Sequence, residues 1–393
     1  MKDNFFFAST PHIHFGAGKR AMIPEIIAEF GQRVLLVTGS SFFDTSVPGQ
    51  GILQALDRFD LFRLSVPGEP SPSLVDDAVR EFHPEQIDVV LAIGGGSAID
   101  AGKAIAGLVC LGHSVMEYLE GVGKGLDYHG PSVPFVAVPT TAGTGGETSK
   151  NAVLSVQGAG GFKKSFRHEK LVARSIIVDP ELSLSCPPGL TAACGMDAFT
   201  QLLESYVSTK ASPMTDVLAE SGIKRVRDCL LAAVLKGDTD IETRTGMSYA
   251  AFVSGLTLAN AGLGSVHGLA SPLGALFPIP HGVVCGTLVA EATRINIEAM
   301  QSREVDNPAL EKYANVGRWL SGENSLNSDV ARERLQETLK KWTKSLEMKR
   351  LSTYGVSADD VPEIVTNSRG SSMQTNPVLL TDAEIAATVT ARL

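Results

Sequence analysis

Basic charge is scarce in this chain: 34 Lys and Arg face 43 Asp and Glu, for a formal net charge of −9 and a pI near 5.5. Nucleic acid and anionic membrane both require a basic face that displaces counterions, so neither is expected as the main partner, and a small soluble substrate is. Cysteine is sparse as well. Cys110, Cys186, Cys194, Cys229 and Cys285 are odd in number and form no CxxC pair, which argues against a disulfide framework or a zinc-finger-type site and points to a reducing cytoplasm. Cys194, three residues before Asp197, reads first as an ordinary small buried cysteine, with a thiolate ligand as the lesser alternative. Long apolar runs are missing too. The stretch Phe5-Phe6-Phe7-Ala8 is too short for a signal peptide, and no window approaches the about 18 uninterrupted apolar residues of a membrane span. Histidine is also rare: of eight, only His267 and His281 lie after position 168, so any imidazole site in the C-terminal half has to use those two.

What is present is ample material for a core. With 393 residues, 44% of them hydrophobic and 20% charged, the chain is long enough for two well-buried domains. The runs Val34–Val37, Val89–Ile93, Phe135–Val138 and Ile176–Val178 are short, apolar and rich in β-branched residues, which predicts buried parallel strands. Helical patterns over 51–59 and 73–82 alternate with them, so the first domain is expected to be a doubly wound α/β sheet. From about Leu190 strand signals stop. Helices are expected over 196–207, 213–235, 241–263, around 290–300 and over 328–347, with Thr381 and Glu384 forming a capping box before a last one. The break at Ser185-Cys186-Pro187-Pro188-Gly189 divides an α/β domain, 1–185, from an all-α domain, 186–393.

Three groups of residues carry chemistry. In the first, Asp197 and Gln201 are four apart and share a helix face, while the two prolines before His281 place His267 and His281 on different elements. Together they read as one divalent-metal site; a capping carboxylate and two backbone-satisfied imidazoles is the bland alternative. In the second, Gly94-Gly95-Gly96-Ser97-Ala98-Ile99-Asp100 follows a strand and opens a helix, so glycine amides and a helix N-terminus can meet a phosphate. Ser97 and Asp100 also fit a capping box, which is the local explanation for both. In the third, Pro139-Thr140-Thr141-Ala142-Gly143-Thr144-Gly145-Gly146-Glu147-Thr148-Ser149 follows the next strand; two such loops at neighbouring carboxyl ends suit ligand binding at an α/β crevice.

The runs GGGSAIDAGKA and PTTAGTGGETS, the Asp197 segment and the His267 to His281 segment resemble, in order and spacing, the four signature blocks of the iron-containing (group III) alcohol dehydrogenases. The resemblance extends through Asn376-Pro377. It implies an N-terminal dinucleotide-binding domain, a helical metal-binding domain, and hydride transfer between nicotinamide C4 and a small alcohol or carbonyl held at the metal in a cleft. It places Gly95, Gly96 and Ser97 on the pyrophosphate and Thr140, Thr141 and Thr144 near the nicotinamide and its ribose, with Asp100 and Ser149 in the same runs. It sets Lys164, or Lys163 with a shift of one, near the ribose, and Leu182 against the cofactor. It implies a cytoplasmic homo-oligomer such as a dimer. Phe252, Leu256, Leu258, Leu263 and Phe277 read either as substrate-cleft walls or as ordinary core.

Where NAD-preferring relatives tend to carry an Asp after the second strand, this chain has Gly39, followed by Ser40 and Ser41. Without a carboxylate to repel a 2′-phosphate, NADP(H) is expected, with NAD(H) as the alternative. Two further positions depart from the family: Gln201 replaces a His ligand, and Ser271 stands where another His is common. An amide oxygen binds Fe2+ or Zn2+ less well than imidazole does, so the set Asp197, Gln201, His267, His281 makes a weaker site. The metal matters, because moving an alcohol pKa from about 16 to about 7 is worth about 12 kcal/mol, whereas one neutral hydrogen bond nets about 1 kcal/mol. The expected catalytic groups are Asp197, His267 and Ser271, the last as proton donor if the metal is absent. Rival readings are a metal-free reductase resembling maleylacetate reductases, a dehydroquinate-synthase-like lyase, and a nucleotide-binding protein without turnover. The lyase is disfavoured by the lack of Lys and Arg over 195–207.

Overall fold

The computed structural model describes residues 4–39, 42–158 and 160–393. Its contacts divide into two compact units. One comprises Ser9–Val156 and Gly161–Cys186; the other comprises Pro187–Leu393 with the short stretches that end at Ala8 and run over Gln157–Gly160.

The first unit is built on a parallel sheet of β1 (His12–Phe15), β2 (Arg33–Gly39), β3 (Asp60–Val66), β4 (Val89–Gly94), β5 (Phe135–Pro139) and β8 (Ser175–Val178), in the order β1-β8-β5-β4-β2-β3. β4, β5 and β8 are buried along their whole length, as strands covered on both faces by helices must be. From β2 the chain steps outward to β3 and then returns to place β4 on the other flank of β2. The direction of winding therefore reverses between β2 and β4, and their carboxyl ends border the crevice where such folds take ligands. Helix Gly96–Leu108 lies close on the sheet because Gly102 has no side chain; a β-carbon there would sit 2.8 Å from Ala92 Cβ.

Sequence reasoning anticipated the interior strands but not the edges. β1 is largely exposed and β3 alternates between half-buried and exposed, so neither carries a continuous apolar run. A separate antiparallel hairpin, β6 (Asn151–Val156) with β7 (Phe162–Arg167), was hidden by the lysines of β7. The helix expected over 51–59 starts earlier, at Val47, because Ser46 caps it by accepting from the Gly49 amide.

The second unit is helical. Helix Pro188–Val207 is buried on nearly every face, the pattern of a central helix. Small residues at 192, 193, 195 and 198 let its neighbours approach, and Phe199 meets Trp342 edge to face at 5.1 Å, a burial worth about 1.5–3 kcal/mol. Around it pack Pro213–Lys236, Ile241–Ala261 and His281–Arg303. Helix Ser265–Leu276 was not anticipated, because it runs through Pro272, a residue that ordinarily ends a helix. The capping box at Thr381 and Glu384 is present. Among the described residues no helix is long and apolar enough to cross a membrane.

Candidate metal centre and nucleotide loops

Three helices of the second unit bring four donor atoms together. Asp197 comes from Pro188–Val207, His267 from the first turn of Ser265–Leu276, and His281 and Cys285 from the first turn and a half of His281–Arg303. One ligand atom from each lies within 4.8 Å of all the others. His267 Nε2 is 3.3 Å from Asp197 Oδ1 and His281 Nε2 is 3.7 Å from it; Cys285 Sγ is 3.6 Å from His267 Nε2 and 3.9 Å from His281 Nε2. A carboxylate, two imidazoles and a thiol make a donor set that suits a divalent transition metal.

The surroundings aim these atoms. Glu204, one turn beyond Gln201 on the same helix, accepts from His267 Nδ1 at 2.6 Å and from the Val266 amide at 2.7 Å. With Nδ1–H held by Glu204, the other ring nitrogen, Nε2, faces Asp197, the arrangement in which a carboxylate behind a histidine orients it for a metal. Asn376 Oδ1 accepts from the Ser265 amide at 3.0 Å and so fixes the start of that helix. Gly264 admits both carboxamide and carboxylate, since a β-carbon there would lie 2.9 Å from Glu204 Oε1 and 3.0 Å from Asn376 Oδ1.

Burial alone raises the Asp197 pKa, but the nearby His281 charge and the hydrogen bond and charge of His267 outweigh it and bring it to about 2. Burial disfavours a charged His267, yet Cys285, Asp197 and Glu204 around it hold it well above the usual imidazole range. Burial pushes the Cys285 thiol up to about 12, against the pull of His267; a coordinated dication reverses that order and takes the proton off outright.

Gln201 reaches the cluster from the same helix face as Asp197, with its amide nitrogen donating to Asp197 Oδ1 at 3.1 Å and its oxygen accepting from Ser254 Oγ at 2.7 Å. Ser271 is half-buried, one turn beyond His267. Of the candidate cleft residues, Phe252 and Leu256 are buried, whereas Leu258, Leu263 and Phe277 keep some exposure. Sequence reasoning missed Glu204 and Cys285. The signals were there, since 197, 201 and 204 share one helix face and 281 and 285 another.

Gly282 sets how near His281 comes. A β-carbon at this position would lie 2.5 Å from the Ala193 carbonyl oxygen and 2.7 Å from its carbon, backbone atoms that cannot swing aside. Gly282→Ala is therefore expected to lift the start of its helix off the Asp197 helix, with a stability loss of about 1–3 kcal/mol and about tenfold or greater weakening of metal retention. Thermal denaturation and metal analysis after dialysis check this, and unchanged values for both would refute it.

In the first unit, the two glycine loops meet at the carboxyl ends of β4 and β5. Gly94 is paired with Pro139 in register, and the Thr140 amide donates to Gly94 O at 2.9 Å. The loops touch closely at Gly96, where a β-carbon would lie 2.9 Å from Thr144 Cγ2, whereas one on Gly95 would make an ordinary contact 3.4 Å from Thr141 Oγ1. Helix Gly96–Leu108 is capped by Gly95 with no side-chain bond, so the capping-box explanation for Ser97 and Asp100 does not hold, and its first-turn amides keep their donors for another partner.

Lys103, fully buried, holds the second loop in place by donating to Gly146 O at 2.6 Å, Asn151 O at 2.7 Å and Ser149 Oγ at 3.3 Å. Burial lowers the Lys103 pKa to about 8 against the charges of Asp100 and Glu147, and burial raises Glu147 to about 7. Ser149 is thus engaged within the protein.

The remaining nucleotide candidates sort by position. Gly39 ends β2 beside Gly94, and a β-carbon there would meet nothing within 4 Å. Ser40 and Ser41 lie outside the described residues. Lys163 pairs with Glu69 at 2.6 Å, while Lys164, on the other face of β7, is exposed. Leu182, 1% exposed, packs in the core with Ile177 and Val138, which leaves almost none of its surface for a cofactor.

Comparison with known proteins bears on both halves. The profile of the family described as iron-containing alcohol dehydrogenase matches residues 10–180, and that of the C-terminal Fe-containing alcohol dehydrogenase family matches 191–393. The chain is 31% identical over 391 residues to the NAD-dependent methanol dehydrogenase of Bacillus methanolicus, covering 98% of each. It is 30% identical over 389 residues to long-chain-alcohol dehydrogenase 1 of Geobacillus thermodenitrificans, covering 97% of this chain and 94% of that protein. Among solved structures, a 1,3-propanediol oxidoreductase superposes with a TM-score of 0.88 at 28% identity, over 99% of this chain and 100% of the other.

Proposed function

Because this chain belongs to the iron-containing alcohol dehydrogenase family, we propose that it transfers hydride reversibly between the C4 of a nicotinamide dinucleotide and the carbinol carbon of a small alcohol. The observation that carries this reading is the convergence of Asp197, His267 and His281, with Glu204 orienting His267. A divalent metal bound there supplies a Lewis acid that lowers the pKa of a bound alcohol. Asp197 supplies a fixed negative charge at neutral pH, Glu204 keeps the His267 tautomer that faces inward, and the loops beginning at Gly95 and Thr140 take the dinucleotide. In this reading residues 1–185 hold the nucleotide and residues 186–393 the metal. Should the metal be absent, Ser271 or water is the proton donor for carbonyl reduction, and the protein works as a cytoplasmic homo-oligomer. The test follows reduced-nicotinamide absorbance across a panel of alcohols and aldehydes, with both cofactors and with Fe2+, Zn2+ or chelator. Turnover that disappears with chelator and returns with metal is expected; turnover indifferent to the metal would overturn the proposal in favour of a metal-free reductase.

Cofactor choice rests on Gly39. NADP(H) is proposed as the preferred form because no carboxylate ends β2, next to the phosphate loop. Gly39→Asp finds open space for its side chain, and its charge both accepts from ribose hydroxyls and repels a 2′-phosphate. The variant is expected to shift the NADPH-to-NADH ratio of kcat/KM toward NADH by about 10–100-fold, or about 1.4–2.7 kcal/mol. An unmoved ratio would remove Gly39 from the argument.

A further inference from the structure

We propose that Cys285, as a thiolate, is the fourth protein ligand of this metal site, and that Gln201 is a positioning residue that orients Asp197 instead of binding the ion. The inference rests on the metal-dependent reading above and replaces Gln201 in the ligand set expected from the sequence.

Geometry is the first support. Around a tetrahedral zinc, with bonds of about 2.0–2.1 Å to nitrogen or oxygen and about 2.3 Å to sulfur, donor atoms stand about 3.3–3.6 Å apart. The separations here are 3.3 and 3.7 Å from Asp197 Oδ1 to the two imidazole Nε2 atoms, and 3.6 and 3.9 Å from Cys285 Sγ to the same two atoms. Four of the six edges of such a tetrahedron are thus nearly at their final lengths. Cys285 is fully buried and one turn from His281 on the same helix, so its position is set by the backbone that sets His281.

The second support is what Gln201 does. Its only metal-binding atom, the amide oxygen, accepts from the buried Ser254 hydroxyl at 2.7 Å, and its nitrogen faces the Asp197 carboxylate at 3.1 Å. In the metal-free cluster, reversing the amide would set its oxygen against a carboxylate oxygen at that same distance. A hydrogen bond from Gln201 fixes the Asp197 rotamer, which is a supporting role behind a ligand. The chemistry agrees: a thiolate is a softer and stronger donor than a neutral amide and favours zinc over iron, and Asp197 with Cys285 would neutralise a dication inside a buried site.

Cobalt(II) is the probe, because a thiolate ligand gives it an intense near-ultraviolet charge-transfer band that oxygen and nitrogen donors do not. Metal-free wild-type protein loaded with cobalt is expected to bind one ion per chain and to show the band, and so are Gln201→Ala and Cys194→Ser. Cys285→Ser is expected to lose the band and at least tenfold in zinc affinity. One bound cobalt without the band in the wild type, or the band persisting in Cys285→Ser, overturns the assignment while leaving the metal-dependent reading intact. Failure of the wild type to bind any cobalt or zinc sinks that reading and this inference together. X-ray absorption at the zinc edge of the wild-type protein needs no variant: one sulfur neighbour at about 2.3 Å is expected, and a shell of nitrogen and oxygen alone refutes the proposal.

Discussion

Asp197→Asn is expected to strip the metal from the protein and to lower kcat/KM for alcohol oxidation by about 1000-fold or more. The substitution keeps shape and removes charge. At neutral pH the wild-type carboxylate is ionised, with its pKa brought to about 2 by the two imidazoles despite burial, so the variant replaces the anion nearest both Nε2 atoms with a neutral amide. Deprotonating an alcohol near neutrality requires about 12 kcal/mol of pKa shift, and no hydrogen bond from Ser271 or water, at about 1 kcal/mol, replaces that. Residual activity should therefore survive better in carbonyl reduction than in alcohol oxidation. A pH dependence follows from the same cluster. His267 is held well above the usual imidazole range, so metal-free protein carries a proton there that the ion must displace. Lowering the pH keeps that proton in place, and wild-type metal affinity should fall as pH falls. Metal content after dialysis at two pH values, with kcat/KM in both directions, checks the whole chain; an Asn variant that keeps its metal and its rate within about threefold would refute it.

The parts of this molecule that were legible in the sequence are those where chemistry and periodicity coincide. Asp197, His267 and His281 stood out because imidazole is rare in the C-terminal half and because the prolines before His281 forced a change of element; the structure brings their donor atoms into one cluster. The interior strands were legible because burial on two faces leaves an unbroken apolar run, as in Val89–Ile93. β3 was not, since an edge strand with Arg63 and Ser65 on it has no such run. Cys285 was passed over because the cysteines were weighed by mutual spacing, which speaks to disulfides and fingers, and only Cys194 by its spacing from a candidate ligand, Asp197. Glu204 looked like any helix carboxylate. Its role depends on the Ser265–Leu276 helix crossing it, and Pro272 concealed that helix. Gln201 was legible as a departure from the family but not as the group that holds Asp197, because the hydroxyl that captures its oxygen, Ser254, is more than fifty residues away.

Lys103→Met should produce the largest loss of stability, about 3–5 kcal/mol, together with at least tenfold weaker dinucleotide binding. In sequence this lysine stands with Ser97 and Asp100 among the small and apolar residues of its helix. The structure buries it completely and spends its three protons on Gly146 O, Asn151 O and Ser149 Oγ. Methionine fills a similar volume but donates nothing, so two half-buried carbonyls and a buried hydroxyl lose a charged partner, each at a cost of about 1–3 kcal/mol where no other donor reaches it. Glu147, 3% exposed and raised to about 7, loses a nearby cation too, so it should titrate higher still and be neutral over more of the physiological range. The effect on binding is geometric. Gly146 and Ser149 close the loop that begins at Thr140, whose Thr144 packs on Gly96 where the helix Gly96–Leu108 starts. Releasing the far end of that loop lets both loops relax away from a shared site. Lys103→Arg separates charge from shape, since it keeps the cation but cannot fit its planar fork in a cavity made for an ammonium. It should recover part of the stability and little of the affinity. Denaturant unfolding and cofactor titration measure the two effects. If Lys103→Met unfolds like the wild type and binds dinucleotide as tightly, the buried lysine is not what shapes the loop.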